Sequence, residues 1–326
     1  MVARGPGAAG LPALLYSTAM LARFVRLALL AELAAWAALG AWLGGTALQV
    51  AAGALAGASL VRLAIVGASF GLSWLWRSPR AKEERLGAGA AIALVAAEWW
   101  AMLANNFAWL PFENAVLRRD PPPAPLERLP VILVHGYFSN RGTLCGLARG
   151  LERAGAGPVF VPTLPAIVAP IEAFAEHLGR VVREVTDASG QGRAILVCHS
   201  MGGLITRTYL RKRGPERIAG IVTLGSPHHG SALAALGAGH NGRQMRPGSE
   251  FLRGLAESES AAPPAVPALS VYTVHDNLVA PQDSSRLAWA RNVRLAGVGH
   301  LAMLADGRVH RAVADEIARL RSGAAS

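Results

Sequence analysis

Residues 196–204 read LVCHSMGGL, and this stretch decides the fold. The apolar run Ala194–Val197 predicts a buried strand, the small residues around Ser200 predict a sharp turn, and the pattern over Gly202–Arg211 predicts a helix. A serine at the apex of such a unit presents its hydroxyl, and the N–H groups that begin the helix point toward the same place. Ser200 is therefore a candidate nucleophile, although a serine before a helix is also a common N-cap.

Strand and helix patterns alternate on both sides of this turn. Strands are predicted at Val131–Val134, Val159–Val161, Ala194–Val197, Ile218–Leu224, Leu269–Val274 and Val293–Leu295. Helices are predicted at Gly142–Ala154, Ile171–Val185, Gly202–Arg211 and Val309–Leu320. This alternation predicts an α/β fold, with a mostly parallel sheet covered by helices on both faces. In such sheets the functional residues lie at the carboxyl ends of the strands.

A serine nucleophile needs a base, and the base needs a carboxylate that orients it. His300 follows the last predicted strand among glycines, which leaves its imidazole free to reach over the sheet edge. Asp276 directly follows the strand Leu269–Val274 and is the expected acid; Asp283 is the rival, but it is better placed to cap a helix. The chain order Ser, Asp, His is that of the α/β-hydrolases.

Backbone donors for a developing oxyanion are expected where the first strand, Val131–Val134, runs into a turn. Gly136 permits close approach of the backbone there, and the N–H groups of Tyr137 and Met201 are the two expected donors. The residues expected to contact the substrate are His135, Gly136, His199 and His229. For the three histidines, the alternative is a structural role in packing or in loop hydrogen bonds.

Four motifs together resemble bacterial lipases and esterases of the α/β-hydrolase superfamily. They are HGY at 135–137, CHSMGG at 198–203, TLGSPHHG at 223–230 and GH at 299–300. The GSPHHG segment is similar to that of triacylglycerol lipases and of the membrane-bound GPI-inositol-deacylase-like group. The resemblance covers about residues 130–320 and implies a carboxylic ester hydrolase with Ser200, Asp276 and His300 as its triad. No metal or organic cofactor is implied, and the sequence leaves a structural calcium open. Cys198 departs from the family turn G-x-S-x-G, which begins with glycine.

The first 110 residues are strongly apolar and contain three segments near the 20 residues that a membrane-spanning helix needs. These segments are Leu27–Leu43, Ala47–Trp76 and Leu86–Leu110. The alternative is an apolar helical cap on an enzyme. Glu32, Arg62 and Glu98 interrupt the segments, and we expect an Arg–Glu pair between helices rather than a polar pathway.

The loop charges predict an orientation. Arg4, Arg23 and Arg26 precede the first segment, and the 77–85 loop carries four further basic residues. The positive-inside rule then places the N-terminus and this loop in the cytoplasm, so three spans would deliver everything after residue 110 to the periplasm across a bacterial inner membrane. The net charge of +11 favours anionic membrane surfaces, and because no basic stripe is visible, no nucleic-acid partner is expected.

The predicted organisation has three parts: a transmembrane helical region at 1–110, a Pro-rich linker at 111–128 and an α/β-hydrolase domain at 129–326. A looser apolar and glycine-rich stretch at 230–266 matches the position of a lipase lid, although an ordinary helical insertion has the same pattern. Cys145 and Cys198 are the only cysteines, too few for a disulfide framework. Both are expected to pack internally, with a pair between them as the alternative that the sequence leaves open.

The leading hypothesis is a membrane-anchored serine hydrolase that cleaves carboxylic esters through an acyl-enzyme, with a lipid or another acyl ester as substrate. An acyltransferase or a thioesterase uses the same triad. A non-catalytic membrane-bound binding module predicts a broken triad instead. A transporter is disfavoured because three spans with so few polar residues make a poor pathway.

Overall fold

A computed structural model describes residues 20–117, 125–164 and 167–323 of the 326-residue chain. Arg4 and most of the proline run of the predicted linker lie outside these residues. We refer to residues 20–117 as the helical region and to residues 125–323 as the sheet region.

Ten helices and six strands are found in the described part of the chain, with short 3₁₀ turns between them. The helices are α1 (Met20–Trp42), α2 (Ala47–Leu75), α3 (Ala88–Ala104), α4 (Glu113–Val116), α5 (Cys145–Arg153), α6 (Ile171–Ser189), α7 (Met201–Arg213), α8 (Gly239–Gln244), α9 (Glu250–Ala261) and α10 (Gly307–Gly323). The strands are β1 (Val131–Val134), β2 (Val159–Phe160), β3 (Ala194–His199), β4 (Ile218–Leu224), β5 (Ala268–Thr273) and β6 (Arg291–Leu295).

The six strands form one parallel sheet in the order β2-β1-β3-β4-β5-β6. The strands β1, β3 and β4 are fully buried along their length, because helices cover both faces of the sheet. The register pairs Val134 with Cys198 and His199 with Leu224, so the carboxyl ends of the central strands meet at one edge. The predicted α/β architecture is confirmed.

The helical region begins with a helical hairpin: α1 and α2 pack against each other in opposite directions and are joined by the short turn at residues 43–46. The turn is closed by a capping box, in which the Thr46 hydroxyl accepts the N–H of Gln49 and the Gln49 amide oxygen accepts the N–H of Thr46. The helix α3, extended by a π-helical turn at Asn105–Trp109, packs on α2, where the Trp99 indole donates to the Ser59 carbonyl at 3.0 Å. Three helices, Met20–Trp42, Ala47–Leu75 and Ala88–Trp109, are long and apolar enough to cross a membrane.

The sheet region contacts α3 near its beginning, in its middle and at its end. Before α3, Glu84 forms an ion pair with Arg294 at 2.7 Å. In its middle, Glu98 accepts backbone N–H groups of the loop after His300. At its end, Thr143 donates to the Asn105 side chain at 2.8 Å.

The charged residues of the helical region are only partly arranged as predicted. Arg62 donates to both carboxylate oxygens of Glu32, so the expected Arg–Glu pair between helices is confirmed for these two residues. Glu98 does not join this pair, because its side chain faces the sheet region, where backbone N–H groups bind it.

Candidate active site

Ser200 occupies a strained turn between β3 and α7. Its backbone has φ 56° and ψ −127°, a conformation that residues with side chains rarely adopt. The turn is tight: a Cβ on Gly136 would lie 2.7 Å from the Ser200 Cβ, and a Cβ on Gly202 would lie 2.5 Å from the Val134 carbonyl oxygen. Within the described turn and helix, the Ser200 side chain makes no capping hydrogen bond. The geometry therefore favours the strand–turn–helix role over the N-cap role.

Cys198 fills the position where the family pattern has glycine. Its thiol is fully buried, lies 3.0 Å from the Thr206 hydroxyl and is not paired with Cys145, which is also free and buried. Burial raises the pKa of the Cys198 thiol to about 12, so it stays protonated and unreactive at neutral pH. The structure thus places both cysteines as packing residues.

His300 and Asp276 are joined by a hydrogen bond of 2.8 Å between Nδ1 and Oδ2. The other Asp276 oxygen accepts the N–H groups of Leu278 and Val279 at 2.8 and 2.7 Å, which fixes the carboxylate. The rival acid, Asp283, lies instead in the first turn of a 3₁₀ helix at Gln282–Ser285. The acid and the imidazole predicted from the sequence are therefore brought together.

Opposing effects act on the imidazole. Burial lowers the pKa of His300, but the charge of Asp276, its hydrogen bond and the charge of Glu98 raise it, and the net pKa lies above the ordinary value of 6.5. A carboxylate that receives the Nδ1–H holds the tautomer in which Nε2 is free to accept a proton. This is the protonation state that a general base requires.

The loop that carries His300 is held by residues that the sequence analysis did not assign to the site. Asn277 accepts the His300 N–H at 2.9 Å and donates to the hydroxyl of Ser69 on α2 at 2.8 Å. Ser73 on α2 donates to the Asp276 carbonyl at 2.7 Å. The loops that carry Asp276 and His300 therefore rest directly on the helical region.

Ser200 and His300 line one pocket of about 470 Å³, together with Gly136, Tyr137 and His199. Met201 is the first residue of α7, so its N–H has no acceptor within the helix, although Met201 is absent from the described pocket lining. Tyr137 follows Gly136 in the turn after β1, as the predicted oxyanion site requires. The role of Tyr137 and Met201 as donors stays a prediction.

The four residues expected to contact the substrate separate into two groups. Gly136 and His199 line the pocket; His199 also stacks on His300, with ring centroids 4.6 Å apart. His135 and His229 are absent from the described pocket lining, because hydrogen bonds direct their rings into the surrounding loops. His135 Nε2 accepts the Leu164 N–H at 2.9 Å, and burial lowers its pKa to about 4. His229 Nε2 donates to the Arg286 carbonyl at 3.1 Å.

Only the first half of the predicted lid segment borders the pocket. The side chains that line it there are Ser231, Leu233, Ala234, Leu236 and Met245. The second half forms α9, which is tied to α7 by the buried ion pair of Arg207 with Glu259 at 2.8 Å. The segment is thus a pocket wall followed by a packed helix.

The opposite wall of the pocket comes from the helical region. Ile65, Ala68, Ser69 and Leu72 of α2 line it, with Asn105 at the end of α3. No pattern in the sequence predicted that α2 and α3 contribute to the pocket. No group of three or more His, Cys, Asp or Glu suited to hold a metal ion occurs within residues 20–117, 125–164 and 167–323.

Comparison with known proteins supports this fold. Residues 130–242 match the family model of the alpha/beta hydrolase fold. Triacylglycerol lipases of Pseudomonas fragi and Burkholderia plantarii are 34% and 35% identical over 112 and 115 residues, which is 33% of this chain and 37% and 32% of theirs. The chain therefore spans about a third of the length of these relatives. The family match agrees with the observed fold.

Solved structures agree on the fold. Lipase B of Aspergillus fumigatus matches with a TM-score of 0.58 at 17% identity, over 78% of this chain and 80% of its own. The mature lipase of Bacillus licheniformis matches with a TM-score of 0.53 at 18% identity, over 62% and 96%. At these identities the likeness concerns the fold alone.

Proposed function

We propose that this chain is a membrane-anchored serine hydrolase that cleaves carboxylic esters of lipids. One observation carries the proposal: His300, which is fixed by its hydrogen bond to Asp276, lines the same pocket as a serine on a strained turn. The relatives named triacylglycerol lipases support an acyl ester as substrate. The apolar helices Met20–Trp42 and Ala47–Leu75 support the membrane anchor.

The reaction begins when the Ser200 hydroxyl attacks the acyl carbonyl and its proton passes to Nε2 of His300. Asp276 accepts the Nδ1–H and stabilises the imidazolium that forms. The oxyanion of the tetrahedral intermediate accepts the N–H groups of Tyr137 and Met201. Collapse breaks the ester bond, and the leaving alcohol takes the proton from His300. Water, deprotonated by His300, then releases the acid from the acyl-enzyme.

The test is hydrolysis of esters of increasing acyl length by the detergent-solubilised chain, beside Ser200→Ala. We expect the substitution to lower kcat by about four orders of magnitude or more. Ser322→Ala is the matched control, because Ser322 lies near the end of α10 and is exposed. Equal turnover by the wild-type chain and Ser200→Ala would reject the nucleophile, and release of acyl product only with an added alcohol acceptor would favour an acyltransferase.

A further inference from the structure

The helix α3 is unsuited to cross a bilayer in this fold. A crossing helix separates its two ends by a hydrocarbon core of about 30 Å, with each end on its own side. The sheet region nevertheless contacts the chain on both sides of α3. Ser78 and Gln282 are joined at 2.9 Å before it, and the Leu110 carbonyl accepts from Asn140 at 2.9 Å after it. Both ends of α3 therefore lie on one side of any membrane.

The hairpin of α1 and α2 has the opposite character. Residues 33–61 carry no charge, and the ion pair of Glu32 with Arg62 stands at the base of this segment. At 1.5 Å per residue, the two arms extend about 15 and about 22 Å beyond the pair, which is enough to fill at least one leaflet of a core about 30 Å thick. Its large side chains face outward; Trp42 is 81% and Leu48 79% exposed.

The charges at the base of the hairpin indicate the side from which it enters. Arg23 and Arg26 lie at the beginning of α1, and Arg77, Lys82 and Arg85 follow α2. These residues flank the end of the hairpin that carries the sheet region, since Ser78 and Glu84 contact it. Basic residues of short flanking segments remain in the cytoplasm and are attracted by anionic lipid headgroups.

The pocket wall on α2 continues toward the lipid. Ile65, Ala68 and Leu72 follow the helical spacing of a single face, and all three line the pocket that holds Ser200. Ile65 is also 49% exposed, and the next large side chains toward the hairpin tip, Val61 and Leu60, are exposed as well. An apolar surface thus connects the outside of the hairpin to the catalytic pocket.

We propose that the α1–α2 hairpin alone inserts into the membrane from the cytoplasmic side, and that α2 guides an acyl chain from that leaflet to Ser200. The substrate is then a lipid ester of the cytoplasmic leaflet. This replaces the expectation of a periplasmic sheet region, which required α3 as a third crossing. The location of the sheet region is independent of the activity, whereas the route of the acyl chain rests on the proposed function.

Topology is tested with reporters fused to the C-terminus of the full chain in bacteria. Green fluorescent protein should fluoresce, and alkaline phosphatase, which needs the periplasm, should stay inactive. An active phosphatase fusion with a dark fluorescent fusion would overturn the topology. Because neither readout uses the hydrolase activity, failure of the proposed ester hydrolysis would leave this result standing.

The acyl route is tested by narrowing the wall with Ala68→Phe, beside Leu55→Phe as a control on the same helix outside the pocket. Ala68→Phe should lower kcat/KM for long-chain esters at least tenfold relative to short-chain esters, while Leu55→Phe leaves that ratio unchanged. An unchanged ratio in Ala68→Phe would overturn the route. Covalent labelling of Ser200 by a fluorophosphonate verifies that each variant is folded, and a variant that fails this check is replaced by Ala68→Leu.

Discussion

Glu98 of α3 binds the loop that follows His300, and its removal perturbs the contact between that loop and the helical region. Its side chain is fully buried; its carboxylate accepts the N–H of Leu301 at 2.9 and 3.1 Å and that of Ala302 at 2.8 Å. In Glu98→Ala both N–H groups lose their acceptor inside the protein. An unsatisfied buried group costs about 1–3 kcal/mol, so the two together cost about 2–6 kcal/mol of the free energy of unfolding.

The assay combines thermal unfolding with kinetics of the purified chain in detergent. Glu98→Ala should lower Tm and kcat together, because Leu301 directly follows His300. Glu98→Gln keeps one acceptor oxygen and should lose less stability. Glu32→Gln is the matched control, since its pair with Arg62 lies within the hairpin; it should leave kcat unchanged. A Glu98→Ala variant with the Tm and kcat of the wild-type chain would refute the reasoning.

Three further outcomes follow from the site and its surroundings. Asp276→Asn should lower kcat about 10⁴-fold while the fold persists, measured by ester hydrolysis beside thermal unfolding, and a loss below tenfold would contradict the role of Asp276. Activity should fall as pH decreases, because a protonated His300 cannot act as a base. The raised pKa of His300 places the midpoint of the pH–kcat/KM profile above 6.5. Since the charge of Glu98 contributes to that raised pKa, Glu98→Gln should move the midpoint to lower pH. Arg207→Ala leaves the largely buried Glu259 with the Trp289 indole but without its cationic partner, and should cost about 3–5 kcal/mol in denaturant unfolding, whereas Arg213→Ala at an exposed pair should leave the unfolding midpoint nearly unchanged.

Local patterns sufficed to predict the sheet and to place Ser200, Asp276 and His300 at one edge of it. The strands Val131–Val134 and Ile218–Leu224 have the predicted ends, because fully buried parallel strands are continuous apolar runs that stop where the turns begin. Ser200, Asp276 and His300 each follow a predicted strand, and parallel strands bring their carboxyl ends to one edge. Chain order and strand position were therefore enough to bring these residues together.

The contact of Glu98 with the loop after His300 could not be predicted from the sequence, for a physical reason. Its partners lie 203 and 204 residues away and are backbone N–H groups, which have no side-chain signature. The apolar composition of α3 likewise does not distinguish a helix that faces lipid from a helix that packs on a folded neighbour. This is why α3 has the composition of a membrane span and yet lies along the sheet region.

Side-chain direction explains the histidines that were assigned to the substrate. His135 and His229 follow the ends of strands, as His300 does, but their rings turn toward Leu164 and Arg286. Position along the chain places a residue at the edge of the sheet, whereas the hydrogen bonds available from distant loops decide where its ring points. Asn277 was not assigned to the site, and yet it accepts the backbone N–H of His300. No local sequence pattern reveals that contact.

Activation of Ser200 by His300 underlies every step of the proposed reaction. The most direct measurement is the rate at which a fluorophosphonate labels the chain in membranes, with the modified peptide identified by mass spectrometry. We expect a label on Ser200 in the wild-type chain, and labelling slowed by about three orders of magnitude or more in His300→Ala. A label on another serine, or equal rates in the two chains, would contradict it.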